Sequence, residues 1–223
     1  MDSQSVIAID GYASTGKSTL AKMLSKHYQI PFVDSGALYR GITLFALERS
    51  FFSNNEIDID SLSEVLESIS LRFGLETGEL YLNGENVSQK IRLPYVSENV
   101  STIADLTIVR DFLLNQLRDM ASENGLVMDG RDIGTEVFPD ADYKFFFIAR
   151  PEIRAHRRHQ ELKAEGQNIN FDKVLSNLIH RDQKDTNRKT APLRRAEDAF
   201  EIDTSEATKD EVFALLLEKI DSK

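Results

Sequence analysis

The chain has 223 residues, 41% hydrophobic and 29% charged, with a formal net charge of −10 and no cysteine. That length and apolar content suit one globular protein with a buried core and room for an inserted subdomain. The missing cysteine excludes disulfides, thiolate zinc sites and a cysteine nucleophile and suits a reducing compartment, while the acidic surplus opposes binding to nucleic acid.

No apolar run reaches the roughly 18 residues of a membrane span, and the start, MDSQS, lacks the basic-then-apolar plan of a signal peptide. A cytoplasmic monomer with neither membrane nor nucleic-acid partner is expected. In chain order, SVIAID at 5–10 suits a central parallel strand covered on both faces. GYASTGKST follows at 11–19, and then Leu20, Met23, Leu24 and His27 or Tyr28 recur at helical spacing, predicting a helix from Thr19 to Tyr28. PFVD at 31–34 is a second strand, and GALYRGITLFALERSF carries Leu38, Ile42, Phe45 and Ala46 on one helical stripe. The polar SNNEIDID interrupts.

From Ser61 to Arg92 the pattern changes. A short helix capped by Ser61 with Glu64 is followed by a hairpin at Asn83-Gly84, because a type I′ turn needs positive φ at both positions. An antiparallel hairpin breaks the strand-helix rhythm, so the segment reads as an insert. Helical periodicity resumes from Tyr95 through Met120, with Asn124-Gly125 as its stop. LVMDG at 126–130 and YKFFFIA at 143–149 are further strands. Pro151 opens an arginine-rich helix that Gly166 breaks, and a second charged helix runs from Phe171 to Asp185. AFEID is the last strand, and Thr208 with Glu211 forms a capping box for the closing helix. The whole is an α/β arrangement.

Residues Gly11, Gly16, Lys17 and Ser18 complete the pattern G-x-x-x-x-G-K-S/T. Its glycines let successive N–H groups point at a ligand, and the helix N-terminus adds partial positive charge. Lys17 would then reach the β- and γ-phosphates, and the Ser18 hydroxyl would ligate Mg²⁺. A plain glycine turn is the competing account, which the strand before and the helix after disfavour. The motif alone reaches only as far as a nucleoside triphosphate. No Asn-Lys pair exists to build a guanine reader, and MDGRD stands where a large ATPase carries a D-E pair, so small kinases remain.

Five blocks in order narrow the field: IDGYASTGKST, DSGALYRG, MDGRDIGTEVFPDADYKFFF, RAHRR and RDQKDTNRKTAPL. Together, from about Val6 to Asp203, they resemble the bacterial cytidylate kinase family, whose members phosphorylate CMP and dCMP. Tyr12 stands where the family usually has Pro, and Thr15 where a small Ala or Ser is common; both bear on loop stiffness and donor affinity. The resemblance implies a three-layer P-loop NTPase fold with a central parallel sheet, an inserted monophosphate-binding subdomain containing the hairpin, and a short helical lid. Its expected bounds are 1–60, 93–150 and 186–223 for the core, 61–92 for the insert and 151–185 for the lid with flanking helices. The implied substrates are ATP and CMP or dCMP, with Mg²⁺.

The resemblance also implies residue roles. ATP falls to Gly11, Tyr12, Ala13, Ser14, Thr15, Gly16, Lys17, Ser18 and Thr19, with Arg157 and Arg158 from the lid. Arg40, Arg131 and Arg188 hold the CMP phosphate, where guanidinium forks suit paired oxygens. Asp132 and Arg110 read cytosine, a carboxylate opposite its amine and an arginine opposite its acceptors, with Ser101 and Ser35 completing the cradle. Arg181 and Asp185 contact the sugar. Lys17, Arg131, Arg188, Arg157 and Asp129 form the catalytic set, Asp129 organising Mg²⁺-bound water or Lys17. A general base is unnecessary, since a phosphate monoester with a second pKa of about 6 is already ionised at neutral pH.

Plainer accounts stand beside these. Arg40 alone reads as a solvated helix residue, Asp132 as an ion-pair partner of Arg131 or a neighbour, and Arg181 with Asp185 as a surface i,i+4 pair. Arg154, Arg157 and Arg158, grouped by i, i+3 and i+4 spacing on the lid helix, are expected to close over the transferring phosphates and exclude water, with a solvated charged face as the alternative. His156 and His159 lack a third ligand at metal spacing. The functional rivals are a kinase for UMP, AMP or shikimate, and a nucleotide-sensing module without catalysis.

Overall fold

The computed structural model describes residues 4–53, 56–74, 78–121, 125–167 and 169–222. In chain order they form β1 (Val6–Gly11), α1 (Lys17–Tyr28), β2 (Phe32–Asp34), α2 (Ser35–Glu48), β3 (Phe52–Ser53), β4 (Glu56–Ile57), α3 (Ile59–Val65), β5 (Leu71–Phe73), β6 (Leu80–Leu82) and β7 (Glu85–Asn86). There follow α4 (Pro94–Ala104), α5 (Thr107–Asp119), β8 (Leu126–Asp129), a π-helical turn at Ile133–Val137, β9 (Tyr143–Ile148), α6 (Pro151–Ala164), α7 (Phe171–Asn187), β10 (Phe200–Asp203) and α8 (Lys209–Asp221). The chain divides into two compact units, Met1–Val33 with Met120–Lys223, and Asp34–Asp119.

The first unit is built on a sheet in the order β10-β9-β1-β8-β2. β1 pairs in parallel with β8, from Val6↔Leu126 to Ile9↔Asp129, and with β9, from Ile7↔Tyr143 to Gly11↔Phe147. Its continuous apolar run therefore occupies the middle of the sheet, as strands buried on both faces do. Ile7, Ile9, Val127, Phe145, Phe147 and Ile202 meet Leu20 and Leu24 of α1 and Val212, Leu216 and Ile220 of α8. Each such side chain contributes about 1.5–3 kcal/mol relative to leaving it in water. α6 and α7 pair through Ala155, Leu162, Val174 and Leu178. Pro151 opens α6, and past its end Gly166 takes φ +79°, as the chain order of proline and glycine led one to expect. Thr208 and Glu211 form the reciprocal capping box of α8.

In the second unit, Leu38, Ile42, Phe45 and Ala46 of α2 are all buried. Asn83 and Gly84 both take positive φ, +50° and +87°, and turn β6 into β7 as a type I′ hairpin. A Cβ at Gly41 would lie 2.8 Å from Leu71 and 3.1 Å from Leu80, so α2 lies directly on the β5-β6 pair. That packing makes the second unit wider than the 61–92 segment picked out by the sequence pattern.

Three local expectations change. The short helix α3 is capped by Asp58, whose carboxylate accepts from the Ser61 N–H and hydroxyl, rather than by Ser61. The polar stretch before it contains the paired ends β3 and β4. The single helix expected over 95–120 is two, broken at 105–106, where Arg110 donates to the Ala104 carbonyl and caps α4 from the following helix. Asn124 lies outside the described residues.

Candidate active site

Parallel sheets gather ligands at the C-terminal ends of their strands, and β1 ends there in the glycine loop. Gly11 has φ +138°, and a Cβ would sit 2.1 Å from the Phe147 carbonyl oxygen of the neighbouring strand, so no other residue fits. Ser14 and Gly16 also take positive φ, curling the loop before α1. α1 starts at Lys17, two residues earlier than its apolar spacing indicates, which puts Lys17, Ser18 and Thr19 in its first turn. No side chain caps it and no acidic residue occupies that turn. Such an end favours an anion.

Lys17 is buried, with its ammonium donating to the Tyr12 carbonyl at 2.6 Å. Thr15 donates to the same carbonyl, and the Thr204 hydroxyl donates to the Thr15 carbonyl at 2.9 Å. The Ser18 hydroxyl donates to Asp129 at the end of β8, at 2.5 Å. A hydroxyl beside a buried carboxylate is an oxygen-donor pair of the kind Mg²⁺ accepts when nucleotide phosphates complete its shell. Among the described residues no cluster of three His, Cys, Asp or Glu could hold a metal independently.

The lid arginines separate. Arg154 is buried, donating to Asp182 at 2.6 Å and to the Ala149 carbonyl, with its guanidinium 5.1 Å from the Tyr12 ring centre. It ties α6 to α7 and to the glycine loop, which gives Tyr12 a use that proline could not supply. Arg157 donates to the carbonyl and hydroxyl of Thr204, the residue already bonded to Thr15. Arg158 pairs with the exposed Glu161. His156 bonds to Gln160 and His159 meets the Phe171 ring, so the two histidines serve local packing.

After β8 the chain carries the second cluster. Arg131 donates through Nε to Asp185 at 3.1 Å, and Arg188 lies 3.6 Å from Asp132. Asp132, Asp185 and Arg188 are all buried, and Arg188 also donates to the Ala191 carbonyl. Burial alone would raise the Asp185 carboxyl, but Arg131, Arg181 and Arg188 outweigh it and hold it below the usual range. Arg181 and Asp185 are therefore no exposed helix pair, and Asp132 has an ion partner in Arg188.

The remaining candidates lie in the second unit. Asp34 caps α2 through the Ala37 N–H and holds Arg40 at 2.7 Å, so Arg40 is a partnered, partly buried residue rather than a solvated one. A Cβ at Gly36 would come 3.0 Å from the Arg40 guanidinium and 3.2 Å from the Asp34 carboxylate, so a larger residue there would press on that pair. Ser35 and Ser101 are buried on α2 and α4. Arg110, also buried, lies 5.6 Å from the centre of the Tyr39 ring.

Comparison with known proteins decides the family. The chain matches the cytidylate kinase family over residues 7–222. The chain belongs to that family. A cytidylate kinase of Flavobacterium johnsoniae is 45% identical over 218 residues, covering 96% of this chain and 95% of the relative. One of Bacteroides thetaiotaomicron is 48% identical over 203 residues, covering 89% of each. A solved structure, an uncharacterized protein from Eubacterium ventriosum, aligns over 99% of both chains with a TM-score of 0.52 and 15% identity, a likeness of fold alone.

Within this cytidylate kinase framework three residues escaped the sequence reading. Asp34 was visible as an N-cap type before a helical stripe. Thr204 gave no signal, since its partners Thr15 and Arg157 are distant in sequence. Asp10 ended an apolar strand and drew no attention. It is buried, and accepts from the N–H groups of Ile133 at 2.8 Å and Gly134 at 2.7 Å. Burial, with nearby Asp132 adding to it, pushes its carboxyl up to about 7, although the two N–H groups and Lys17 act the other way.

Proposed function

We propose a division of labour among these residues for the reaction that family membership establishes, transfer of the γ-phosphoryl group of ATP to CMP or dCMP. The transition state spreads charge over the migrating oxygens, so positioning and cations do most of the work. On the donor side the 11–16 loop and the first turn of α1 wrap the ATP phosphates, and Lys17 swings from the Tyr12 carbonyl to the migrating group. Ser18 and Asp129 would hold Mg²⁺, which would neutralise phosphate charge during transfer. Arg157, placed against the glycine loop through Thr204, serves ATP; Arg158, paired with Glu161, has a peripheral part.

For the acceptor, Arg131 and Arg188 take the CMP phosphate and Asp132 the cytosine amine, while Arg181 and Asp185 hold the sugar. In the second unit Arg40 presents a guanidinium to phosphate, and Ser35, Ser101 and Arg110 present polar groups to the base. No residue need remove a proton, because the attacking phosphate oxygen is ionised at neutral pH. α6 and α7 act as the lid, excluding water that would otherwise hydrolyse ATP. A cytoplasmic setting fits the cysteine-free composition, and the charge of −10 disfavours nucleic acid as a partner.

The observation that carries the acceptor reading is the cluster of Arg131 and Asp132, just after β8, with Asp185 and Arg188 at the end of α7, in which all but the partly exposed Arg131 are buried. An isolated pair of arginines in that environment would be costly to desolvate; carboxylates balance them, and each guanidinium still has more donors than one carboxylate can use. The test is ADP release with CMP, dCMP, UMP, AMP and shikimate offered separately with ATP and Mg²⁺. CMP and dCMP are expected to lead. Preference for AMP or shikimate would overturn the assignment, and no nucleoside diphosphate at saturating substrates would leave only a binding module.

A further inference from the structure

Asp132 occupies the N-cap position of the π-helical turn Ile133–Val137, yet its side chain makes no capping hydrogen bond there. Aspartate is among the best N-cap residues, and the first N–H groups of any helical turn need acceptors from outside it. The acceptors come instead from Asp10, 123 and 124 residues earlier in sequence, with one carboxylate oxygen on each of the first two N–H groups of the turn. The far end of the same loop is pinned independently. Lys144 on β9 donates to the Pro139 carbonyl and to Asp198.

We infer that Asp10 is a positioning residue for acceptor selection: by capping the Ile133–Gly134 turn in place of Asp132, it directs the Asp132 carboxylate toward the acceptor nucleotide. The inference rests on the reading that Asp132 faces the cytosine amine. Its physical content is a matter of rotamers. If Asp10 withdrew, the turn donors would need another acceptor, and the side chain of the N-cap residue, here Asp132, is the group that ordinarily caps the second or third N–H of a helical turn. A carboxylate folded back onto its own turn would no longer meet Arg188, at 3.6 Å, or a base. Asp10 is also the residue immediately before Gly11, so one side chain ties the start of the donor loop to the turn that carries Arg131 and Asp132. The two N–H groups face a carboxylate flanked by Asp132 and Lys17, a setting in which an amide could satisfy only one of them.

The test compares Asp10→Asn with Asp132→Ala and with Leu216→Ala, a core variant on α8. At saturating ATP, kcat/KM is measured for CMP and for UMP, and KM for ATP is measured at saturating CMP. Asp10→Asn is expected to lower the CMP-over-UMP ratio roughly tenfold, the scale of one misplaced hydrogen-bonding group, and to move KM for ATP less than about threefold. Leu216→Ala, destabilised but unaltered at the turn, should keep the ratio. Gly134→Ala is the second probe, should Asp10→Asn not fold. Its Cβ would lie 3.2 Å from the Lys144 side chain and 3.4 Å from the Asp10 carboxylate, so the two must give by a few tenths of an ångström at the capped end of the turn, and it too should lower the ratio. A loss of selectivity in Asp132→Ala with none in Asp10→Asn or Gly134→Ala overturns the role of Asp10. No loss in Asp132→Ala overturns the base-reading assignment itself, and the Asp10 inference falls with it.

Discussion

Arg131 and Arg158 bear the same guanidinium and meet a carboxylate at nearly the same distance, 3.1 Å to Asp185 and 3.2 Å to Glu161. Their surroundings differ. The Asp185 side chain is 10% exposed and shares Arg181 and Arg188, whereas Glu161 is 58% exposed on α6. Exposed pairs contribute about 0–1 kcal/mol, because water screens them and two long side chains must be ordered. In a buried cluster the same charges act through a weaker dielectric, and removing one strands the other. Distance therefore does not rank these arginines. Nor does their own exposure, 22% and 24%; the burial of the carboxylate partner separates them, and it should rank their pull on a phosphate as well.

The largest effect is expected at neither arginine but at Lys17, whose buried ammonium is proposed to serve the migrating group. Lys17→Ala should lower kcat about 10²–10³-fold, the range for losing one donor to transition-state charge, with KM for CMP within a few-fold. Near-normal turnover in the ADP-release assay would remove Lys17 from the mechanism. Next comes Arg131→Ala, expected to lower kcat/KM for CMP about 100-fold while KM for ATP holds, the loss of a charge-assisted contact in a buried site. A fall in ATP affinity alone would place Arg131 on the donor side.

A smaller effect concerns stability. Because the Asp185 carboxyl is held below its ordinary 3.8, its stabilisation is complete above that value and is lost as pH falls below it. The urea midpoint of the wild type should therefore fall more steeply than that of Asp185→Asn on acidification from about pH 5 to about pH 2. Parallel curves would show that the cluster does not hold the carboxylate charged. Arg158→Ala should be smallest, with kcat/KM within about threefold and little change in melting temperature. A tenfold loss there would show that an arginine paired with an exposed carboxylate also serves the reaction.

What could be read from sequence divides along the same line between local and distant causes. The glycine loop and the Asn83-Gly84 turn were legible because the conformation each requires is set by the residues in it. The strands 126–129 and 143–148 were legible as continuous apolar runs. The break between α4 and α5 was not, since Arg110 supplies it by reaching back to Ala104 while the apolar period continues across the gap. Asp58 displaced Ser61 as a cap because both residue types cap well and only packing chooses between them. At the candidate site, residue types were legible through the resemblance, but their partners were not. That Asp185 meets Arg131 and Asp10 meets the 133–134 turn are contacts across 54 and 123 residues that no spacing rule encodes.

If the guanidinium forks of Arg131 and Arg188 grip the acceptor phosphate, as proposed, Arg188→Lys should show it plainly. Lysine keeps the charge and loses the fork. With ATP and Mg²⁺ saturating, kcat/KM for CMP should fall about 100-fold while KM for ATP stays within a few-fold. Wild-type kcat/KM in that variant would contradict the claim.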